Sequence, residues 1–265
     1  MTPVTALVLA GSRGPGDPMA VAAGVGHKAL IPAGGVPMLV RVVRALLATP
    51  EVGRIVVCIE DRAIALGLPE IAAAAAAGRL DCIAAAGSPS QSVAAALARL
   101  GTPLLVTTAD HALLRPEWVR HFLAGLSPDA DVTAAVARAE AIFAAVPKTR
   151  RTLLRFADGS FSGCNLFHLR TPAAAGAVRL WRRVEAERKR PLRMVRLLGP
   201  GFLLRFALGR LTLARALGRF GQLAGVRAAV VEMPFGESAV DVDKPADLEL
   251  VETLLSRPPV APEPG

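Results

Sequence analysis

The sequence predicts an α/β fold, a mixed and mainly parallel sheet with helices on both faces. Three observations carry this. Short, continuous apolar runs, such as VTALVL at 4–9 and RIVVCI at 54–59, have the character of strands buried on both faces. These runs alternate with segments of helical spacing, the order that builds parallel sheets. Gly11, Gly87 and Asp110 follow such runs directly, and open α/β sheets bind ligands beyond the carboxyl ends of their strands.

Taken in order, residues 4–9 form the first strand and run into Ala10, Gly11, Ser12, Arg13 and Gly14, a loop able to bring backbone N–H groups close to a phosphate. Pro15, Asp17 and Pro18 belong to an inserted loop with its own role. His27 and Lys28 lead through Gly34 and Gly35 to a helix at 38–47. Residues 54–59 are a second strand, 71–77 an Ala-rich helix closed by Gly78, and 80–85 a third strand. Gly87 opens a loop, and the helix at 93–100 takes Ser90 or Ser92 as its N-cap. Residues 103–108 are a fourth strand that ends at Ala109 and Asp110.

The second half is less regular. Strands are expected at 132–136, 153–156 and 164–169, with a turn at Asp158 and Gly159. A helix spans 173–190 until Pro191 interrupts it, and helical spacing resumes over 203–220. A strand at 228–231 and a helix at 247–255 complete residues 1–257 as one domain, with a basic helical insertion at about 173–225. The Pro-rich tail, 258–265, reads as disordered.

Composition narrows the class. An apolar fraction of 52% and mean hydropathy of +0.44 owe much to Ala, and no run reads as a spanning helix. No basic segment precedes the first apolar run, which argues against a secretory signal. Cys58, Cys82 and Cys164 stand far apart in apolar surroundings, as core thiols of a cytoplasmic protein do. Between Arg179 and Arg219 twelve Lys or Arg face only Glu185 and Glu187, so this segment alone accounts for the net charge of +9.

The stretches LVLAGSRG and HKALIPAGGVPML resemble the N-terminal signature of the MobA-like nucleotidyltransferases, related to cytidylyltransferases and sugar-phosphate nucleotidyltransferases. This chain departs from the pattern in the long gap between Arg13 and Lys28 and in His27, where many members carry Pro. The resemblance implies a Rossmann-like domain of the nucleotide-diphospho-sugar transferase type. It places nucleotide binding on Leu9, Ala10, Gly11, Ser12 and Gly14, and on Gly87 and Ser92 of a second loop. Gln91 stands where cytidylyltransferases commonly carry a basic residue. Thr107 to Asp110 look like the strand end that holds the catalytic metal, and Gly163 and Asn165 fall in a strand that lines the acceptor pocket. VDVDKPADL at 240–248 resembles the family's C-terminal D-x-D signature, with Lys244 replacing Thr.

The chemistry has its own logic. Nucleotidyl transfer expels pyrophosphate and builds charge on phosphate oxygens. Two carboxylates from distant strand ends suit Mg²⁺, which prefers oxygen ligands. Asp110 and Asp241 are assigned to it, with Asp243 in reserve because strand alternation would put it on the face of Asp241. Arg13 and Lys28 complete the catalytic set by neutralising the triphosphate. An acceptor phosphate ester, with a second pKa of about 6, is largely ionised at neutral pH and needs no general base. Lys148, Arg150 and Arg151 are the candidates to grip it, with Asn165 bonding its hydroxyls.

Blander alternatives stand beside these. A Gly-rich loop after a strand is often only a turn, Asp110 or Asp241 could cap a helix, and Gly163 with Asn165 could serve a bulge. His27, His111, His121 and His168 lack metal spacing and suit structural or surface roles. The basic segment is read as a solvated face, a lid for anionic substrates, or a peripheral contact with anionic membrane at its inner face. Nucleic acid is disfavoured by an aromatic content of 4% without Tyr. The expected activity is Mg²⁺-dependent transfer of a nucleoside monophosphate from an NTP, CTP first and GTP second, to a small phosphorylated acceptor. The alternatives are a non-catalytic nucleotide-binding or membrane-associated module and a metal-dependent glycosyltransferase.

Overall fold

The computed structural model describes residues 3–12, 14, 16–147, 149, 151–187 and 199–257. The strands are β1 (Val4–Leu9), β2 (Pro32–Ala33), β3 (Val36–Pro37), β4 (Val52–Ile59), β5 (Leu80–Ala84), β6 (Leu104–Thr108), β7 (Val132–Arg138), β8 (Leu154–Phe156), β9 (Gly159–Leu169) and β10 (Ala228–Glu232). Eight of them form one sheet in the order β10-β7-β9-β6-β1-β4-β5, with β8 paired to β9. β1 sits between β4 and β6 and runs parallel to both. β9 is antiparallel to β6 and β7, and this strand makes the sheet mixed.

The side chains of β1 alternate between two cores, as a strand's period of two requires. Ala6 and Val8 enter one core, with Leu39, Val43, Trp118 and Phe122. Leu7 enters the other, with Val93, Leu97, Ala177 and Val178. Helices α2 (Met38–Leu47), α4 (Pro69–Ala76), α6 (Pro116–Ala124), α7 (Ala139–Ala145) and α11 (Pro245–Leu255) cover the first face. The second face carries α5 (Pro89–Leu100), α8 (Ala175–Glu187) and α10 (Leu213–Ala224). The remaining helices are α1 (Pro18–Ala22), α3 (Arg62–Leu66) and α9 (Pro200–Ala207).

Several expectations change. The helix expected at 93–100 begins at Pro89 with Ser88 as its N-cap, because Pro is preorganised for the first helical position; Ser90 and Ser92 lie buried inside it. The expected strand 164–169 starts five residues earlier. The helical stretch 203–220 divides at Gly209 (φ 64) into α9 and α10. Helices α1, α3, α6 and α7 were not legible in the sequence; three of these four span seven residues or fewer, too few to display a period. Residues 188–198 and the tail lie outside the described residues. Among the described residues no helix is long and apolar enough to cross a membrane, and the three cysteines are unpaired.

Candidate active site

Past the end of β1, the Ser12 N–H donates to Oε1 of Glu60 at 2.7 Å. Glu60 follows directly on β4, and its Oε2 meets Nε2 of His27 at 3.0 Å. His27 Nδ1 accepts from the Ala29 N–H at 3.1 Å, which leaves Nε2 as the donor. Asp17 caps α1 through the Met19 N–H at 3.0 Å and also accepts from the Ser12 hydroxyl at 3.3 Å. The inserted loop thus folds into a short helix whose cap faces the site. In this structure the Ser12 N–H of the first loop is taken by the carboxylate of Glu60.

Lys28 reaches the site because the chain reverses just after it. β2 and β3 pair through a turn at Gly34 (φ 58) and Gly35 (φ 71), and two successive positive φ values are what glycine allows. Lys28 Nζ donates to Asp110 Oδ2 at 2.7 Å and to Asp243 Oδ1 at 3.3 Å. Burial opposes its charge, yet the two carboxylates prevail and hold its pKa above the ordinary lysine value. Asp110 follows β6, and its Oδ1 is buried with no hydrogen-bond partner among the described residues.

The structure separates Asp241 from Asp243. Residues 240–244 form no strand, so alternation does not put both on one face. The Asp243 and Lys244 N–H groups instead donate to Asp247 Oδ2 at 3.1 Å, building the start of α11. Asp243 therefore joins Lys28, while Asp241 turns to Arg151, whose guanidinium binds Oδ1, and to Asn165, whose Nδ2 donates to Oδ2 at 2.7 Å. Asn165 is in the left-handed region (φ 47), at a bulge where β9 shifts register against β7. The bulge and the polar role hold together: the bulge turns the amide toward Asp241. The Val242 N–H donates to the Asp110 carbonyl at 3.0 Å, which ties the two acidic stations together.

The second loop shapes the opposite wall. Ser92 Oγ accepts from the Ala86 N–H at 2.9 Å. Ser88 Oγ donates to Oε2 of Glu185, on α8, at 2.8 Å, and the Ser90 hydroxyl binds the same oxygen. A cavity of about 480 Å³ lies between the loops, lined by Leu9, Gly11, Ser12, Lys28, Gly87, Ser92, Asp110 and Asp243 among others. Ala10 is buried beside it, its N–H bonded to the Cys58 carbonyl. Gly14 adopts φ 90, and Gly163 is exposed on β9. Arg13, Lys148 and Arg150 lie outside the described residues. Asp17, Glu60 and Glu185 also line the cavity. Sequence reasoning gave Asp17 only a place in the inserted loop and missed Glu60 and Glu185 as site residues; for Glu60 the signal available was its position directly after a strand.

Residues 6–198 match the family model of the MobA-like NTP transferase domain. The chain belongs to this family. The MobA-like match spans both loops, Lys28, Asp110 and the β8–β9 hairpin. Among solved structures, a hypothetical transferase from Thermus thermophilus is 35% identical, over 94% of this chain and 100% of its own, with a TM-score of 0.78. The fold is shared with a CMP:2-keto-3-deoxy-manno-octonic acid synthetase complexed with CTP, at 17% identity, 97% and 99% coverage and a TM-score of 0.54. It is shared also with 4-diphosphocytidyl-2C-methyl-D-erythritol synthase from Anaerococcus prevotii, at 9% identity, the same coverage and a TM-score of 0.58. No curated protein matches.

Proposed function

We propose that this MobA-like protein is a Mg²⁺-dependent nucleotidyltransferase. It moves a nucleoside monophosphate from an NTP, CTP first and GTP second, onto a small phosphorylated acceptor and releases pyrophosphate. The charge of the cavity wall carries this reading. Among the described lining residues Asp17, Glu60, Asp110, Glu185 and Asp243 face a single lysine, Lys28. A triphosphate enters such a wall only with cations beside it.

The donor set fits a hard cation. Asp110 Oδ1 is a buried oxygen without a partner among the described residues, and Asp243 shares Lys28 with it. Mg²⁺ is commonly held by one or two carboxylates together with substrate phosphates. Asp110 and Asp243 would hold the ion, which when bound neutralises phosphate charge.

The chain's own groups do the rest. Lys28 supplies a fixed positive charge where charge develops on phosphate. The Ser12 N–H exchanges Glu60 for a phosphate oxygen, and the small residues at Gly11 and Gly14 let that phosphate approach. Arg151 and Asn165, oriented by Asp241, form the acceptor wall with Gly163; Lys148 and Arg150, close to Arg151 in sequence, remain the further candidates to grip the acceptor phosphate. CTP comes first because two structures of like fold are a synthetase complexed with CTP and a diphosphocytidyl synthase. The unpaired cysteines support a cytoplasmic setting.

The test pairs binding with turnover. One NTP should raise the melting temperature only with Mg²⁺, by the equivalent of about 2.7 kcal/mol at 100 times its dissociation constant. The same NTP should release pyrophosphate when a panel of sugar and polyol phosphates is added, and Asp110→Asn should abolish both effects. No Mg²⁺-dependent shift with any NTP overturns the proposal.

A further inference from the structure

Helix α9 has apolar residues but no home for them. None of its eight residues is buried, and Leu204 and Phe206 are 61% and 36% exposed, with Leu208 just beyond the helix at 58%. Phe206 packs edge-on against Phe156 of β8, with ring centroids 5.8 Å apart. Leu154, two residues earlier and so on the same face of β8, is also exposed. These four side chains make up half of the large exposed hydrophobics among the described residues; Leu204 and Leu208, one turn apart, share one face, while Phe206 turns the other way to Phe156 beside Leu154, at the seam of α9 with β8. A patch of this kind marks an interaction surface.

Its charge says what covers it. Among the described residues from 199 to 231 there are five Arg and no Asp, Glu or Lys. Arg155, Arg205 and Arg210 are exposed within the seam or at its edge. Leu and Phe on a short helix, interleaved with arginine and wholly free of carboxylates, match the headgroup region of an anionic bilayer, where apolar side chains insert and guanidinium groups bind phosphate. An acidic protein surface would satisfy the arginines, but not the exposed Leu204 and Leu208 as well.

We propose that the α9–β8 seam docks this protein onto the surface of an anionic lipid bilayer. Leu204 and Leu208 enter the interface, and the arginines lie among the headgroups. The proposal does not depend on which nucleotide the site takes.

Flotation of the full chain with vesicles of phosphatidylcholine alone, or with about one-third phosphatidylglycerol, tests it at low and physiological salt. Binding to the anionic vesicles is expected at both salt levels, with little to neutral ones. Leu204→Ser combined with Leu208→Ser should weaken it about tenfold or more. Both sites are exposed, so the pair should leave the circular dichroism spectrum and melting temperature unchanged. Arg205→Gln with Arg210→Gln should weaken binding chiefly at low salt. Failure to bind anionic vesicles at low salt overturns the proposal. So does binding that the leucine pair leaves unchanged, which would be plain electrostatic adsorption, or binding to an acidic polypeptide such as polyglutamate with none to vesicles.

Discussion

Replacing Lys28 by Met should destabilise the protein more than replacing Asp110 by Asn, although both changes break the same contact. At 2.7 Å, and with an effective dielectric constant of about 20, the gross attraction is about 6 kcal/mol. Much of it is offset by desolvation, since the two side chains are 18% and 21% exposed. Lys28→Met leaves two carboxylates facing each other, one with a buried oxygen and no cation, and should cost about 3 kcal/mol. Asp110→Asn leaves Lys28 its second partner, Asp243 at 3.3 Å, and keeps an acceptor of similar shape, so about 1 kcal/mol is expected. The gap of about 2 kcal/mol corresponds to about 4–8 °C in melting temperature for a chain of this size. Urea unfolding at pH 7 with EDTA and no nucleotide reads it directly. Equal stabilities, or a more stable Lys28→Met, would refute the reasoning by showing that Lys28 is not the counter-ion that Asp110 needs.

Three further outcomes are expected. Glu185→Ala should lower the KM for the nucleotide several-fold with little change in kcat, because it removes a carboxylate from the cavity wall at the second loop; an unchanged KM would remove it from the site. Asp131 is held down to about pKa 2 by the Arg227 N–H first, then by the Thr171 hydroxyl and the Arg227 guanidinium. A depressed carboxylate stabilises the fold above its ordinary value and loses that contribution as pH falls through the folded value. The stability difference between wild type and Asp131→Asn should therefore be full above about pH 4 and shrink towards pH 2, as followed by denaturant midpoints. A Cβ at Gly176 would lie 2.0 Å from the Ala224 carbonyl oxygen, whereas one at Gly218 meets nothing within 4 Å. Gly176→Ala should cost about 3 kcal/mol and Gly218→Ala should gain about 0.5–1 kcal/mol, both measured by chemical denaturation.

Much of this protein was legible in the sequence. Continuous apolar runs at 4–9 and 54–59 announced strands buried on both faces, because a strand with a polar face would alternate. The loop motif, Lys28 and the aspartate at the end of the fourth run were picked out because open α/β sheets gather chemistry at strand ends, and the structure brings them to one cavity. What the sequence could not supply was the company each residue keeps. Whether Asp241 or Asp243 joins Asp110 depended on the backbone between them, and residues 240–244 prepare a helix cap instead of continuing a strand. Glu60 and Glu185 carry no motif; they matter because β4 ends beside β1 and α8 packs across α5, contacts between residues far apart in the chain. Local chemistry and periodicity are written in neighbouring residues and can be read there. Pairings such as Lys28 with Asp243 span 215 positions, and only the tertiary structure, by closing those distances, decided them.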